Sequence, residues 1–136
     1  MSVVTLSCRM RFSASHRLLN EELSEEENWR LFGKCYHANG HGHNYDFYIL
    51  LKAPIDSKTG MIMNVNEIES IVDEHVMKKV DHKHLNMDVP EFRTLNPTVE
   101  NIAVVIWRWL KPHFGNALDE VRVHETEDYS AIYRGE

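Results

Sequence analysis

The stretch Asn39-Gly40-His41-Gly42-His43-Asn44-Tyr45-Asp46-Phe47-Tyr48-Ile49-Leu50-Leu51-Lys52 decides the fold. In its second half every second residue is apolar: Tyr45, Phe47, Ile49 and Leu51. Because successive side chains of a β-strand point to opposite faces, this alternation predicts a half-buried strand over residues 41–52. Asp46 and Lys52 fall on the opposite face of that strand. Pro54 and the polar run over residues 56–60 then predict a turn.

Two further regions predict strands from the same alternation. From Val4 to Phe12 the even positions are apolar and the odd positions 5–11 are polar, which predicts a first strand. Residues 118–126 and 129–134 predict a closing hairpin that turns at Glu127-Asp128.

Apolar residues at helical spacing predict two main helices. One follows Asn64, and the other follows Asn96-Pro97-Thr98 and stops at Gly115. A shorter helix capped by Ser24 is predicted near residue 25. The order strand, strand, helix, helix, strand, strand is typical of an α+β domain. We therefore expect an antiparallel four-stranded sheet with two main helices on one face.

The composition is that of an ordinary globular protein, with 43% hydrophobic and 26% charged residues. Its length of 136 residues predicts a single domain over residues 1–136. A net charge of −6 disfavours nucleic-acid binding, because no excess of positive charge is present to displace counterions. No segment has the roughly 20 apolar residues that span a bilayer. We expect a cytoplasmic protein without a membrane partner, in which Cys8 and Cys35 are reduced thiols.

Three of the nine histidines form the candidate metal site. His41 and His43 are two residues apart in the predicted strand, so their side chains leave the same face. His16 is in phase with the apolar face of the first strand, and an antiparallel neighbour can bring it to the same point. Three imidazoles without a fourth protein ligand are typical of a catalytic zinc site. Copper, nickel and iron also accept imidazole, and isolated histidines are often structural, so both alternatives stay open here.

Other candidates for chemistry are Cys35, the pair Asp81 and His82, and Glu125. Cys35 lies in a Gly-flanked loop near the histidines, where cationic neighbours would lower the thiol pKa; a small buried hydrophobe is the equal alternative. A carboxylate beside an imidazole, as at Asp81 and His82, can orient the ring and raise its basicity. Glu125 extends the inward face of its strand and needs a paired donor if it is buried; otherwise it is a solvated strand end.

Five segments together resemble the 6-pyruvoyltetrahydropterin synthase family: residues 12–18 (FSASHRL), 31–35 (LFGKC), 39–45 (NGHGHNY), 81–83 (DHK) and 123–126 (VHET). The resemblance spans nearly the whole chain. It implies a tunnelling fold whose subunits assemble into a barrel, in a homohexamer of two stacked trimers with active sites at subunit interfaces. It also implies a carbon–oxygen lyase that acts on a phosphate, converting 7,8-dihydroneopterin triphosphate to 6-pyruvoyltetrahydropterin in tetrahydrobiopterin biosynthesis.

The resemblance also implies a role for each matching residue. His16, His41 and His43 are the zinc ligands, and Cys35 is the base. Asp81 and His82 are its catalytic partners, and Glu125 anchors the pterin. Thr98 and Glu100, in the stretch Thr-x-Glu-Asn, carry over to the substrate pocket. Magnesium is expected with the triphosphate.

Two alternatives differ from this function. The related 6-carboxytetrahydropterin synthase of queuosine biosynthesis shares the zinc and cysteine chemistry but typically has a shorter gap before His-Gly-His. Five residues separate Cys35 from His41 here, and an Asn-Gly pair precedes His41, which favours the pyruvoyl enzyme. A zinc-stabilised interaction module without catalysis would instead close the fourth metal position, for example with Cys35.

Overall fold

Two long antiparallel strands form the centre of the computed structural model, which describes residues 2–136. β1 (Val3–His16) and β2 (His41–Pro54) pair along their whole length, from Val3 opposite Pro54 to His16 opposite His41. The first strand is longer than its predicted range of residues 4–12. Its alternation continues through Ala14 to His16, both of which are buried. This extension carries His16 to the end of the ladder.

The sheet has five strands in the order β3-β1-β2-β4-β5, so the predicted four-stranded antiparallel sheet is wrong in number and direction. β4 (Leu118–His124) is antiparallel to β2, and β5 (Ser130–Tyr133) is antiparallel to β4. The additional strand, β3 (Lys83–His84), pairs in parallel with β1. A two-residue strand has no readable alternation, which is why the sequence pattern does not reveal it.

The helices are α1 (Glu25–Phe32), α2 (Val65–Val72), α3 (Lys78–Val80), α4 (Leu85–Asp88) and α5 (Val99–Phe114). A π-helical turn over Asp73–Met77 joins α2 to α3, and short 3-10 turns cover Gly33–Tyr36, Pro90–Arg93 and Gly115–Ala117. The predicted caps are confirmed at two helices. Ser24 forms a capping box with Glu27 at α1, and Thr98 accepts a hydrogen bond from Asn101 at α5.

The hydrophobic core lies between one face of the sheet and the two main helices, as predicted. Sheet residues Phe47, Ile49 and Val121 are fully buried against helix residues such as Ile68 and Ile106. The opposite face of the sheet is polar, and there Arg11 donates two hydrogen bonds to Asp46. Within residues 2–136, every helix is too short or too polar to span a bilayer.

Two edges of the sheet are unpaired in the described chain. β3 covers only Ala14 and Ser15 on the outer edge of β1, so Val3–Arg11 has no strand beside it on that side. The outer edge of β5 has none either. Their free N–H and C=O groups can pair with another chain.

Candidate active site

Three histidines converge at the end of the β1–β2 ladder. His16 faces His41 directly across the two strands, and the Nε2 atoms of their rings are 3.2 Å apart. His43 lies two residues further along β2, on the same face. One nitrogen from each of the three rings lies within 4.8 Å of the other two. The predicted convergence of His16, His41 and His43 is confirmed.

Gly40 allows β2 to begin beside the end of β1. Its φ angle is +73°, in the left-handed region that favours glycine, and its N–H donates to the carbonyl of His37. A Cβ at Gly40 would lie 2.7 Å from the carbonyl oxygen of His16. The close approach of these two backbones therefore requires glycine.

The ring of His16 is held by contacts to two residues, and the sequence predicted neither contact. Its Nδ1 donates a 2.8 Å hydrogen bond to the carbonyl of Pro97, and the hydroxyl of Tyr45 is 3.3 Å from the same atom. A carbonyl oxygen can only accept, so Nδ1 carries the proton and Nε2 carries a lone pair. Burial lowers the pKa of His16 to about 4, although the Pro97 hydrogen bond opposes this shift. Burial, followed by the nearby His43, also lowers the pKa of His41.

The three rings have the chemistry of a metal site. The lone pair of His16 Nε2 faces His41, and Nε2 of His43 is buried without a hydrogen-bond partner in the described chain. A buried nitrogen without a partner, such as Nε2 of His43, is unfavourable, and a divalent cation held by the three rings would satisfy it. Neutral imidazole is a good ligand for zinc and for other first-row transition metals. The residues therefore fit a metal ion.

Cys35 lies in the 3-10 turn Gly33–Tyr36 that follows α1. This turn is held to the end of β1 because the N–H of Leu18 donates to the carbonyl of Cys35 at 2.7 Å. Burial and, secondly, the charge of Glu125 raise the pKa of the Cys35 thiol. The prediction that cationic neighbours lower this pKa is wrong for the metal-free chain, because a carboxylate is the charged group that acts on the thiol.

Glu125 points inward, which decides between the two alternatives left by the sequence. It follows β4 directly, and its N–H donates to the carbonyl of Tyr129 in the turn to β5. Only 21% of its side chain is exposed. Its Oε1 is 3.5 Å from Nε2 of both His16 and His43. Glu125 therefore belongs to the histidine cluster, and its predicted role as pterin anchor stays a prediction.

Asp81 and His82 form a pair at the edge of the sheet. Asp81 accepts hydrogen bonds from the N–H of Ser13 and from Nδ1 of His82, both at 3.0 Å. The Ser13 bond is the main reason that the pKa of Asp81 is lowered. His82 has a φ angle of +60°, and 83% of its side chain is exposed. Within residues 2–136, neither residue forms a hydrogen bond or ion pair with Cys35 or with the three histidines.

Thr98 and Glu100 lie at the start of α5, directly after Pro97. The hydroxyl of Thr98 caps the helix by accepting from the N–H of Asn101 at 3.2 Å. Glu100 is exposed on the first turn. A further histidine, His84, was not singled out from the sequence, and its Nδ1 is buried without a hydrogen-bond partner in the described chain. The ring of His84 lies beside Gly40, which is a tertiary contact that no local sequence pattern reveals.

Known proteins resemble this chain over most of its length. A sequence model of the 6-pyruvoyl tetrahydropterin synthase family matches residues 5–136. The 6-pyruvoyl tetrahydrobiopterin synthase of Homo sapiens is 46% identical over 132 residues, covering 96% of this chain and 91% of the human protein. The Dictyostelium discoideum enzyme of that name is 44% identical over 133 residues, covering 98% and 97%.

A solved structure shows the same fold over the full length. The structure of Caenorhabditis elegans 6-pyruvoyl tetrahydropterin synthase has a TM-score of 0.94 at 37% identity and covers 100% of this chain and 98% of that chain. A more distant relative is the 6-carboxy-5,6,7,8-tetrahydropterin synthase of Synechocystis. It is 30% identical over 125 residues, which cover 90% of this chain and 86% of the relative.

The buried His16 makes the stability of the metal-free protein depend on pH. Between pH 6.5 and about 4 the unfolded chain binds a proton at this histidine that the folded chain does not. The free energy of unfolding should therefore be fully retained above pH 6.5 and fall, by on the order of 3 kcal/mol, as the pH drops through this window. Denaturant unfolding of the chelator-treated protein at several pH values measures this. His16→Asn should flatten the dependence, and an equal slope in the two proteins would contradict the assignment.

Gly40→Ala should damage the metal site, whereas Gly60→Ala should not. Both glycines have nearly the same φ angle, +73° and +72°, so both substitutions carry the left-handed cost of about 1–2 kcal/mol. A Cβ at Gly60 meets nothing within 4 Å, whereas at Gly40 it meets the His16 carbonyl. We therefore expect Gly40→Ala to lower the free energy of unfolding more than Gly60→Ala does, and we expect only Gly40→Ala to lower the metal content. Denaturant unfolding and elemental analysis measure these two effects. Equal losses in both variants would refute the steric argument.

Proposed function

We propose a function for this chain from its family, because it belongs to the 6-pyruvoyl tetrahydropterin synthase family. It converts 7,8-dihydroneopterin triphosphate to 6-pyruvoyltetrahydropterin with elimination of triphosphate, in tetrahydrobiopterin biosynthesis. This reaction makes it a carbon–oxygen lyase acting on a phosphate. The observation that carries the proposal is the cluster of His16, His41 and His43, with Glu125 3.5 Å from two of its nitrogens.

The metal proposed for the three histidines is zinc. When bound, it supplies positive charge that polarises the side-chain oxygens of the substrate and acidifies the neighbouring C–H bonds. The chain contributes the neutral state and the orientation of the rings. His16 is oriented by Pro97 and Tyr45, and its lowered pKa keeps it unprotonated at neutral pH.

Cys35 is the proposed base that removes a proton from the substrate side chain. The short turn that carries it is held to the end of β1 by the Leu18 hydrogen bond, so the main chain at Cys35 has a defined position. A raised thiol pKa gives a stronger base once the proton is lost, and positive charge bound at the histidines favours that loss. Glu125, Thr98 and Glu100 are the proposed substrate-binding residues, with Glu125 as the acceptor for the N–H groups of the pterin.

Asp81 and His82 are proposed to transfer protons in the active site of a neighbouring subunit. The pair is already formed, since Asp81 holds Nδ1 of His82 at 3.0 Å, and His82 is exposed on the outside of its own chain. The unpaired edges of β1 and β5 support assembly of subunits into a barrel, because edge strands of two chains can continue one sheet. We propose the homohexamer, a dimer of trimers, on this basis.

The alternative product is 6-carboxytetrahydropterin, which the more distant Synechocystis relative is named for. The five residues between Cys35 and His41 favour the pyruvoyl product. Magnesium with the triphosphate and a cytoplasmic location stay predictions.

Purified protein incubated with 7,8-dihydroneopterin triphosphate and magnesium should release triphosphate and form 6-pyruvoyltetrahydropterin, identified by mass spectrometry. Cys35→Ala should lower turnover by about 10²-fold or more, because a positioned base is removed. Cys8→Ala is the matched control, since this half-buried thiol lies in the middle of β1. Full activity of Cys35→Ala would refute the role of Cys35, and a carboxylated product would establish the alternative.

Mixed oligomers test whether Asp81 and His82 act across a subunit boundary. Cys35→Ala and His82→Ala should each be nearly inactive alone. Chains co-expressed with different tags and purified through both tags should regain a fraction of wild-type turnover, because some interfaces then combine an intact Cys35 with an intact His82. Mixed oligomers as inactive as the single variants would show that both residues act within one chain.

A further inference from the structure

The carboxylate of Glu125 lies at the separation expected between metal ligands from two of the three histidines. In a tetrahedral site with ligand distances of about 2.1 Å, the ligand atoms are about 3.4 Å from one another. The separation between His16 and His41 is 3.2 Å, and Oε1 of Glu125 is 3.5 Å from both His16 and His43. Within residues 2–136, only the three histidines have ligand atoms that all lie within 4.8 Å of one another, so Glu125 needs a further rotation towards His41 to join them.

The contact between Glu125 and His16 is unfavourable without a cation. Nδ1 of His16 donates to the Pro97 carbonyl at 2.8 Å, so Nε2 presents a lone pair to Oε1 of Glu125. Two atoms that carry lone pairs repel each other at 3.5 Å unless a positive charge lies between them. Nε2 of His43, 3.5 Å from the same oxygen, has no hydrogen-bond partner in the described chain.

No other group in the described chain neutralises Glu125. Its ion-pair contacts in residues 2–136 are to His16 and His43 alone. Glu120, five residues earlier, is buried and accepts hydrogen bonds from both Arg122 and Arg134. The chain thus supplies arginines for the buried carboxylate of Glu120 and only imidazoles for the half-buried carboxylate of Glu125. A shared metal ion accounts for this difference.

We infer that Glu125 is the fourth ligand of the metal in the substrate-free enzyme, and that the oxygens of the substrate side chain displace it. The inference rests on the metal site of the proposed function. Displacement frees the carboxylate at the moment when the pterin arrives, so that Glu125 can then accept hydrogen bonds from the pterin. With Glu125 bound, the metal of the substrate-free enzyme would have four protein ligands. The sequence predicted three protein ligands and a fourth position left open.

Competition with a chelator tests the ligand role in the absence of substrate. Zinc-loaded full-length protein is titrated with a chromogenic chelator, in the wild type, in Glu125→Gln and in Glu127→Gln. Glu127 is an exposed acidic neighbour in the same turn and is the matched control. Glu125→Gln should bind zinc at least about tenfold more weakly, as expected when a group that holds a metal is lost. Equal zinc affinity in all three proteins would overturn the inference.

Cobalt spectra give a second readout that does not depend on activity. The visible absorption of Co²⁺-loaded Glu125→Gln should differ from that of the wild type, because one ligand has changed. Adding 7,8-dihydroneopterin, which lacks the triphosphate leaving group, should shift the wild-type spectrum as the carboxylate leaves. Identical spectra for Glu125→Gln and the wild type would overturn the inference, as would a wild-type spectrum that 7,8-dihydroneopterin leaves unchanged although it binds.

Folding and substrate binding are separated from the ligand role by two measurements. Unfolding of the chelator-treated proteins shows whether Glu125→Gln folds; if it does not, Glu125→Asp, whose shorter side chain withdraws the carboxylate, replaces it with the same expected loss. Binding of 7,8-dihydroneopterin is then measured at saturating zinc. Weaker binding with unchanged zinc affinity would keep the proposed anchor role and overturn the ligand role. Weaker zinc affinity in a protein that binds no pterin would support the ligand role while the proposed function fails.

Discussion

The register of β1 against β2 is the constraint on which the site depends. His16 meets His41 because fourteen residues of β1 pair with fourteen of β2 without a bulge between these strands. Side chains alternate along a strand, so a slip of one residue would turn His16 to the opposite face. The same slip would expose Phe12, which is buried and stacks on Tyr45 at 4.9 Å. The hydrophobic core thus holds the ladder in the one register that brings the three histidines together.

The unfavourable contacts within the site lower the stability of the fold, and the packing of this core offsets them. His16 is completely buried, and its Nε2 lies 3.2 Å from a second imidazole and 3.5 Å from a carboxylate oxygen. Local consistency between sequence and fold is commonly broken at functional sites, where the surrounding structure holds groups that repel one another. Here the fully buried side chains of Phe47 and Ile49 continue the same face of β2. A well-packed strand therefore keeps the rings in place even when no cation lies between them.

Much of the fold and the convergence of the three histidines could be predicted, because both depend on local alternation. β1, β2, β4 and the two main helices follow from periodicity, and the histidines continue the phase of the apolar residues. The direction of Glu125, the Pro97 contact and β3 could not be predicted, since each is defined by residues distant in sequence. The predicted direction of the Cys35 pKa shift was also wrong, because it too depends on residues distant in sequence. Lys34 is its neighbour in sequence, but the charge that acts on the thiol is that of Glu125.

The fold also separates two groups of residues that the proposed reaction needs together. The histidines, Cys35 and Glu125 meet at one end of the β1–β2 ladder, whereas the Asp81–His82 pair is fixed to the outer edge of β1 through Ser13. That edge is also where β1 lacks a neighbouring strand before Ala14. A second chain that paired with the exposed edge would therefore approach Asp81 and His82 closely. In the proposed hexamer, assembly and catalysis would then be coupled by one structural feature, because the strand edge that is open to a neighbour also carries the proposed proton-transfer pair.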